Sequence, residues 1–322
     1  MSGRQLAFAA RVLVSAGLLV LVGMRLDGRE ALAAFARVRP ATLLLCTTLA
    51  LVGYWGRALR WSALLRQGGV AVSTADAYRL TLIGIFYGLV TPGRVGELGR
   101  VLHLDLPGER TLPSVVWDRF ADVMLLELLS IPALLVHGLR SGPLLWAYFG
   151  VVALTALAMG AMDSPRLLEG LARRFPRHAG RLRGWSGGAT GMLRSRAFAR
   201  GLVAGLFFYA LNFAGAYVLL GQLAPGYPPQ LALMFPVIIL LGNLPVALGG
   251  LGLREQVSAL AFARLGASAA VGPVFSLLWF LVVTVIPALI GLALAHTRWG
   301  RAAGTLLEAD RRSAPAGGRI AR

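Results

Sequence analysis

Arg94, Glu97 and Arg100 follow one another at intervals of three in YGLVTPGRVGELGR (87–100), directly after an apolar run that breaks at Pro92 and Gly93. Side chains three apart on a helix are neighbours, so Glu97 is spaced to hold either arginine. A planar guanidinium makes bidentate contacts with phosphate or carboxylate that an ammonium cannot. The broken backbone adds to this: a helix starting near Arg94 points its free N–H groups and positive dipole end at the break, which suits an anion such as phosphate. The pattern returns in GNLPVALGGLGLRE (242–255), where Asn243 and the breaks at Pro245, Gly249, Gly250 and Gly252 precede Arg254 and Glu255. In both stretches the pattern Pro…Gly…Glu is kept, through Gly96 in the first. Two plainer readings compete. The first helix lies at the membrane surface with its charges snorkelling into water, and Arg254 and Glu255 simply pair with each other.

A second group of charges lies in VVWDRFADVMLLELLS (115–130). Asp118 and Asp122 are four apart and share a helix face, Arg119 neighbours Asp122, and Glu127 falls on another side and deeper. A charged side chain at mid-bilayer costs about 2.5–3.5 kcal/mol, so carboxylates facing lipid are disfavoured. They are expected to face a cavity, to pair with Arg57, Arg60 or Arg94 and to carry protons; for Asp118 and Arg119, close to the start of the run, a structural ion pair at the interface is the alternative. Arg57 and Arg60, with Trp55 and Trp61 beside them, read equally as an interfacial anchor belt and as a clamp for a headgroup phosphate.

Other chemistry finds no support. The four histidines are scattered without HExxH or other metal spacing, and no GxSxG, Walker or Rossmann motif stands in a suitable context. Neither a catalytic constellation nor a metal or cofactor is expected. The lone Cys46 makes no intrachain disulfide and no CxxC motif.

The elements that must position these groups are apolar. Of the 322 residues 57% are hydrophobic and 14% charged, with a mean hydropathy of +0.70. A soluble domain averages about a quarter charged and lacks apolar runs of roughly 20 residues. The chain is therefore an all-α polytopic membrane protein. The net charge is +18, and all 32 basic residues are arginine. These arginines flank hydrophobic spans and do not build a soluble basic domain, which argues against nucleic acid as partner. Arg4 and Arg11 ahead of VLVSAGLLVLVGM (12–24), followed by the charged RLDGRE, read as a retained first span and not a cleaved signal.

Six full spans are expected at 8–24, 41–59, 113–137, 143–162, 198–221 and 270–296. Two shorter runs, 77–91 and 230–244, end at prolines and are followed by amphipathic stretches at 94–105 and 251–265. Each pair reads as a broken, re-entrant hairpin. The arginine-rich segment 163–200 and the tail after Arg298 belong on the cytoplasmic side, with both termini, while the uncharged QLAPGYPPQ (222–230) lies outside. The 25–39 loop then falls outside despite four arginines. Span–hairpin–span occurs twice with opposite orientation, over 41–137 and 198–296, a pattern of inverted-repeat transporters in which broken helices meet near the midplane. The expected organisation is one domain over 1–300 and an unstructured basic tail over 301–322.

Four stretches in order, GRALRWSALLRQGG (56–69), LVTPGRVGELGR (89–100), VVWDRFADV (115–123) and LLGNLPVALGGLGLREQ (240–256), resemble the lysylphosphatidylglycerol synthase transmembrane-region family, flippase-like membrane proteins of bacteria and archaea. The resemblance covers about residues 5–297. By matching position it picks out Arg57, Arg60, Pro92, Gly96, Glu97, Arg100, Asp118, Arg119, Asp122, Asn243, Pro245, Gly250, Gly252 and Glu255. It implies lipid handling: in larger relatives this region moves an aminoacylated phospholipid made by a separate soluble domain, and other relatives are linked to sugars carried on polyprenyl phosphates. Only about 25 residues follow Arg298, too few for an aminoacyl-transfer domain, so synthase activity is not expected. The expected function is a flippase-like transporter in the inner membrane, moving an anionic phospholipid or a polyprenyl-phosphate-linked glycan. Its phosphate would sit between the two hairpins, with Asp118, Asp122 and Glu255 neutralising the arginines and coupling proton movement. Alternatives are a membrane-embedded transferase on lipid-linked sugars and a scaffold that recruits a cytoplasmic partner through 163–200. Homo-oligomerisation and a separately encoded lipid-modifying enzyme are the further partners left open.

Overall fold

A computed structural model of the protein describes residues 28–104, 108–136, 142–176, 191–226, 229–243, 252–263 and 270–296, with Ala179 and Gly266. The expected span 8–24, the tail and the breaks at Pro245, Gly249 and Gly250 lie outside the described residues, as do the side chains of Pro92 and Arg94 and the surroundings of Gly93. Every described element is helical.

In chain order these are α1 (Gly28–Ala36), α2 (Pro40–Gln67), α3 (Thr74–Val90), a 3-10 segment (Pro92–Leu104), α4 (Gly108–Val136), α5 (Pro143–Asp163), α6 (Pro165–Arg174) and α7 (Arg196–Leu223). A short 3-10 turn (Pro229–Met234) then leads to α8 (Phe235–Gly242), α9 (Leu253–Ala263), α10 (Val271–Phe280), a π turn (Leu281–Val285) and α11 (Ile286–His296). Four helices are long and apolar enough to cross a membrane: Pro40–Gln67, Leu145–Asp163, Arg196–Leu223 and the continuous Val271–Ala295. The protein is a multi-pass membrane protein. Two expectations need correction. The 25–39 stretch contains the helix α1 and is not a bare loop, and 94–105 is a 3-10 segment and not an α-helix.

Local chemistry accounts for the boundaries. Proline stands in the first turn of α2, α5 and α6, where its missing N–H leaves no intrahelical bond unmade. Ser73 and Ser195 cap α3 and α7 by accepting from the N–H of Asp76 and Phe198 at 3.1 and 3.0 Å. Thr91, extended at ψ 143°, ends α3, as the residue before a proline must leave the α region.

Small residues bring the helices close. α2 crosses α7 where a Cβ on Gly56 would overlap the Ala204 carbonyl oxygen. The 3-10 segment folds back on α3, so that Gly84 and Gly88 lie against Arg100 and Glu97. The first hairpin also packs on α11, where Gly291 meets the Leu82 carbonyl, and α8 of the second hairpin packs on α4. Each hairpin thus leans on the last helix of the other half of the chain.

Candidate functional site

Three elements bring the first charged group together. α2 supplies Arg57 and Arg60, the 3-10 segment Glu97 and Arg100, and α4 Asp118, Arg119 and Asp122. Asp118 accepts from Arg60 Nε and Arg100 Nη2, both at 2.6 Å, and from Arg119 Nη2 at 3.2 Å. Asp122 accepts from Arg60 Nη2 at 2.5 Å and stands 3.0 Å from both Arg57 Nη2 and Arg119 Nη2. Glu97 reaches Arg119 Nη1 at 2.8 Å and Arg57 Nη2 at 3.6 Å. Glu97 thus holds arginines of α2 and α4, and Arg100 turns to Asp118; the other expected pair, Glu97 with Arg94, lies outside the described side chains.

Burial decides between the competing readings. Arg57 is 5%, Arg60 0%, Glu97 4%, Arg100 1% and Asp118 0% exposed. Neither an interfacial anchor belt nor a snorkelling surface helix fits such values. Trp61 is likewise buried, donates to Ser114 Oγ at 3.0 Å and lies under the Arg100 guanidinium at 4.0 Å; Trp55 alone keeps the exposure of an anchor. Glu127, as expected, stands apart, half-buried between α4 and α5 beside Thr155.

The second group is smaller. Arg254 Nε donates to Ser276 Oγ at 3.0 Å, the Ser276 hydroxyl donates to Glu255 Oε1 at 2.8 Å, and Arg254 Nη2 stands 3.3 Å from that same oxygen. Glu255 Oε2 accepts the Gly252 N–H at 2.6 Å. Gly252 has φ +82°, left-handed backbone that glycine adopts without strain. The Arg254 guanidinium lies 4.3 Å above the Phe280 ring.

One cavity of ≈ 460 Å³ touches both groups. Arg57, Glu97, Arg119 and Asp122 stand on one wall and Asn243 and Arg254 on the other, with apolar and aromatic residues between them. Arg60, Arg100, Asp118 and Glu255 are not on the wall; they hold the groups that are. In the first group four guanidiniums face three carboxylates, and on the cavity wall three face two. Either way one positive charge is left over among the described side chains. Buried N–H groups of Arg57 (Nε) and Arg119 (Nε) also have no acceptor among the described residues. A largely apolar cavity whose wall carries one more guanidinium than carboxylate suits an anion.

The sequence profile of the lysylphosphatidylglycerol synthase TM region matches residues 8–291. The chain belongs to that family. No curated protein matches it. The family is a membrane domain associated with lipid-related function, and all four stretches that carried the resemblance fall inside the match.

Several wall residues were not read from the sequence: Tyr54, Tyr209, Asn212, Phe280 and Thr284. Being uncharged, they do not stand out in apolar spans. Ser276 carried a better signal, since it follows Glu255 by 21 positions, the same interval that separates Asp118 from Glu97.

Proposed function

We propose that the protein is a flippase-like carrier, not an enzyme, that moves an anionic lipid across the inner membrane, with both termini in the cytoplasm. The cargo class is a phospholipid with net negative charge or a glycan on polyprenyl phosphate. The observation that carries this reading is a cavity walled by Arg57 of α2, Arg119 of α4 and Arg254 of the second hairpin against Glu97 and Asp122, with one positive charge left over among the described side chains. A headgroup phosphate between Arg57, Arg119 and Arg254 takes up that charge, while Glu97 and Asp122 set how tightly the arginines hold it. The hydrocarbon part need not enter. Leu154 belongs to the cavity lining and is 65% exposed, so an acyl or prenyl chain can remain in lipid on that side while the phosphate sits inside. Paired hairpins entering from opposite leaflets, in an inverted repeat of 41–137 and 198–296, give the cavity access to each side in turn.

The test is headgroup translocation in proteoliposomes with a labelled panel of phosphatidylglycerol, phosphatidylethanolamine and polyprenyl phosphate. Faster movement of an anionic member, lost in Arg57→Gln and Arg254→Gln, is the expected result. Background rates for every lipid in the folded wild-type protein overturn the reading.

A further inference from the structure

A second depression, of ≈ 490 Å³, lies on the outer face of the bundle where the last turns of α2 meet the first turns of α7. Arg66, Arg196 and Arg200 stand around it, with Gln67, and no carboxylate lines it. All three arginines are exposed, and none has an acidic partner among the described residues. Arg66 is steadied by its Nη2 donating to Ser62 Oγ at 3.2 Å. The floor is apolar and recessed, made by Leu59, Ala63, Ala197, Gly201 and Ala204, with Leu59 40% exposed.

Arginines at the ends of spans are ordinary anchors, and three scattered ones would mean nothing. Here they converge from two helices on one hollow. Those helices are held rigidly against each other by the Gly56–Ala204 crossing, so the three groups keep their spacing. The hollow combines cationic rim and apolar floor in the order of a lipid at the interface: phosphate outermost, hydrocarbon inward along the helices. It is also separate from the central cavity. Arg60, whose Cγ lies 2.8 Å from where a Cβ on Gly201 would be, forms the partition between them.

We infer that this hollow is a binding site for an anionic glycerophospholipid of the arginine-rich, cytoplasmic leaflet. Its phosphate lies among Arg66, Arg196 and Arg200, and one acyl chain lies over Leu59, Ala63 and Ala204. The bound lipid braces α2 against α7. This holds whether or not the central cavity transports anything.

The test uses the full chain in a neutral detergent, with bound lipid counted by native mass spectrometry and the melting midpoint followed as lipid is added. Phosphatidylglycerol is expected to remain bound and raise the midpoint, and phosphatidylcholine to do neither. Replacing the three arginines together (Arg66→Gln, Arg196→Gln, Arg200→Gln) is expected to weaken retention on the order of a hundredfold, given the worth of each basic residue near an anionic surface. Ala63→Phe keeps every charge but fills the floor, and is expected to weaken retention as well. The control replaces three exposed arginines of α6 (Arg166→Gln, Arg173→Gln, Arg174→Gln), removes the same charge, and is expected to retain lipid. Equal loss in the control, or no loss with Ala63→Phe, overturns the site in favour of general surface attraction. Inorganic phosphate reproducing the whole midpoint shift overturns the lipid as occupant. Arg57→Gln removes only lipid held in the central cavity; in that background the loss on replacing Arg66, Arg196 and Arg200 is expected to persist, which separates the two readings, and its disappearance overturns the outer site.

Discussion

The Tyr54 hydroxyl donates to the main-chain carbonyl of Val283 across 2.6 Å. Val283 lies in the π turn, where the Ile286 N–H reaches back five residues to Leu281, and such turns leave a carbonyl in need of a donor. Tyr54 is one turn before Arg57 on α2, and Val283 and Thr284 line the cavity. The bond therefore ties the arginine-bearing helix to the opposite wall. Tyr54→Phe is expected to lower stability by about 1–3 kcal/mol, the cost of an unsatisfied buried carbonyl, and to slow headgroup movement. Thermal unfolding in detergent and proteoliposome rates check both; an unchanged midpoint would mean that the π turn is held elsewhere.

Asp118 and Glu97 are both buried acids, yet their replacement should do different things. Asp118 is fully buried, away from the cavity, and receives three arginines. Asp118→Asn leaves those guanidiniums short of a counter-charge and is expected to cost about 3–5 kcal/mol, often enough to abolish folding. Glu97 stands on the cavity wall. Glu97→Gln removes a competitor for Arg57 and Arg119, so it is expected to bind an anionic headgroup more tightly and release it more slowly. Lipid retention and translocation rate, measured together, should move in opposite directions; a parallel fall assigns Glu97 a purely structural part.

How much of this was legible beforehand depended on charge and on backbone breakers. Prolines and glycines in an apolar run mark a broken hairpin because lipid tolerates freed backbone groups only in a protected place, so the first hairpin could be read. Burial of Arg57 and Arg60 could not, because an arginine near the end of a span looks the same facing an interface or another helix. The 3-10 form of Pro92–Leu104 was present in the spacing but hidden. Residues three apart stack directly in a 3-10 helix, which sets Glu97 over Gly88 and Arg100 over Gly84, whereas the same interval also fits an α-helix. Tyr54 was invisible for a different reason: a hydroxyl costs too little in an apolar helix to mark its position.

The glycines that admit the hairpin can be separated from those that do not. A Cβ on Gly96 would overlap the Tyr87 carbonyl oxygen, and one on Gly88 would lie 2.6 Å from Glu97 Cγ. Neither neighbour is the free end of a side chain. Gly150, inside α5, has nothing within 4 Å of its Cβ position. Gly96→Ala and Gly88→Ala are expected to lower the melting midpoint markedly. Gly150→Ala should leave it unchanged or raise it, by about 0.5–1 kcal/mol of helix propensity. Similar midpoints for all three would mean that the hairpin does not close on α3.

Glu255 plays in the second charged group the part that Asp118 plays in the first, as the acid behind a cavity-facing arginine. One of its oxygens accepts the Gly252 N–H at 2.6 Å, and the other serves both Ser276 at 2.8 Å and Arg254 at 3.3 Å. A glutamine has a single acceptor oxygen and two donors, so Glu255→Gln must abandon one side and aim an N–H at a group that is itself a donor. The expected result is a loss of about 1–3 kcal/mol with Arg254 freed toward the cavity, seen as a lower midpoint together with slower translocation. Glu255→Asp keeps the charge but is shorter by one methylene, and so should not rescue the Gly252 contact. Ser276→Ala removes only the relay to Arg254 and should cost less than Glu255→Gln while affecting translocation to a similar degree. If Glu255→Gln melts and transports like the wild type, the second hairpin is held by its backbone alone, and Arg254 has no counter-charge that matters.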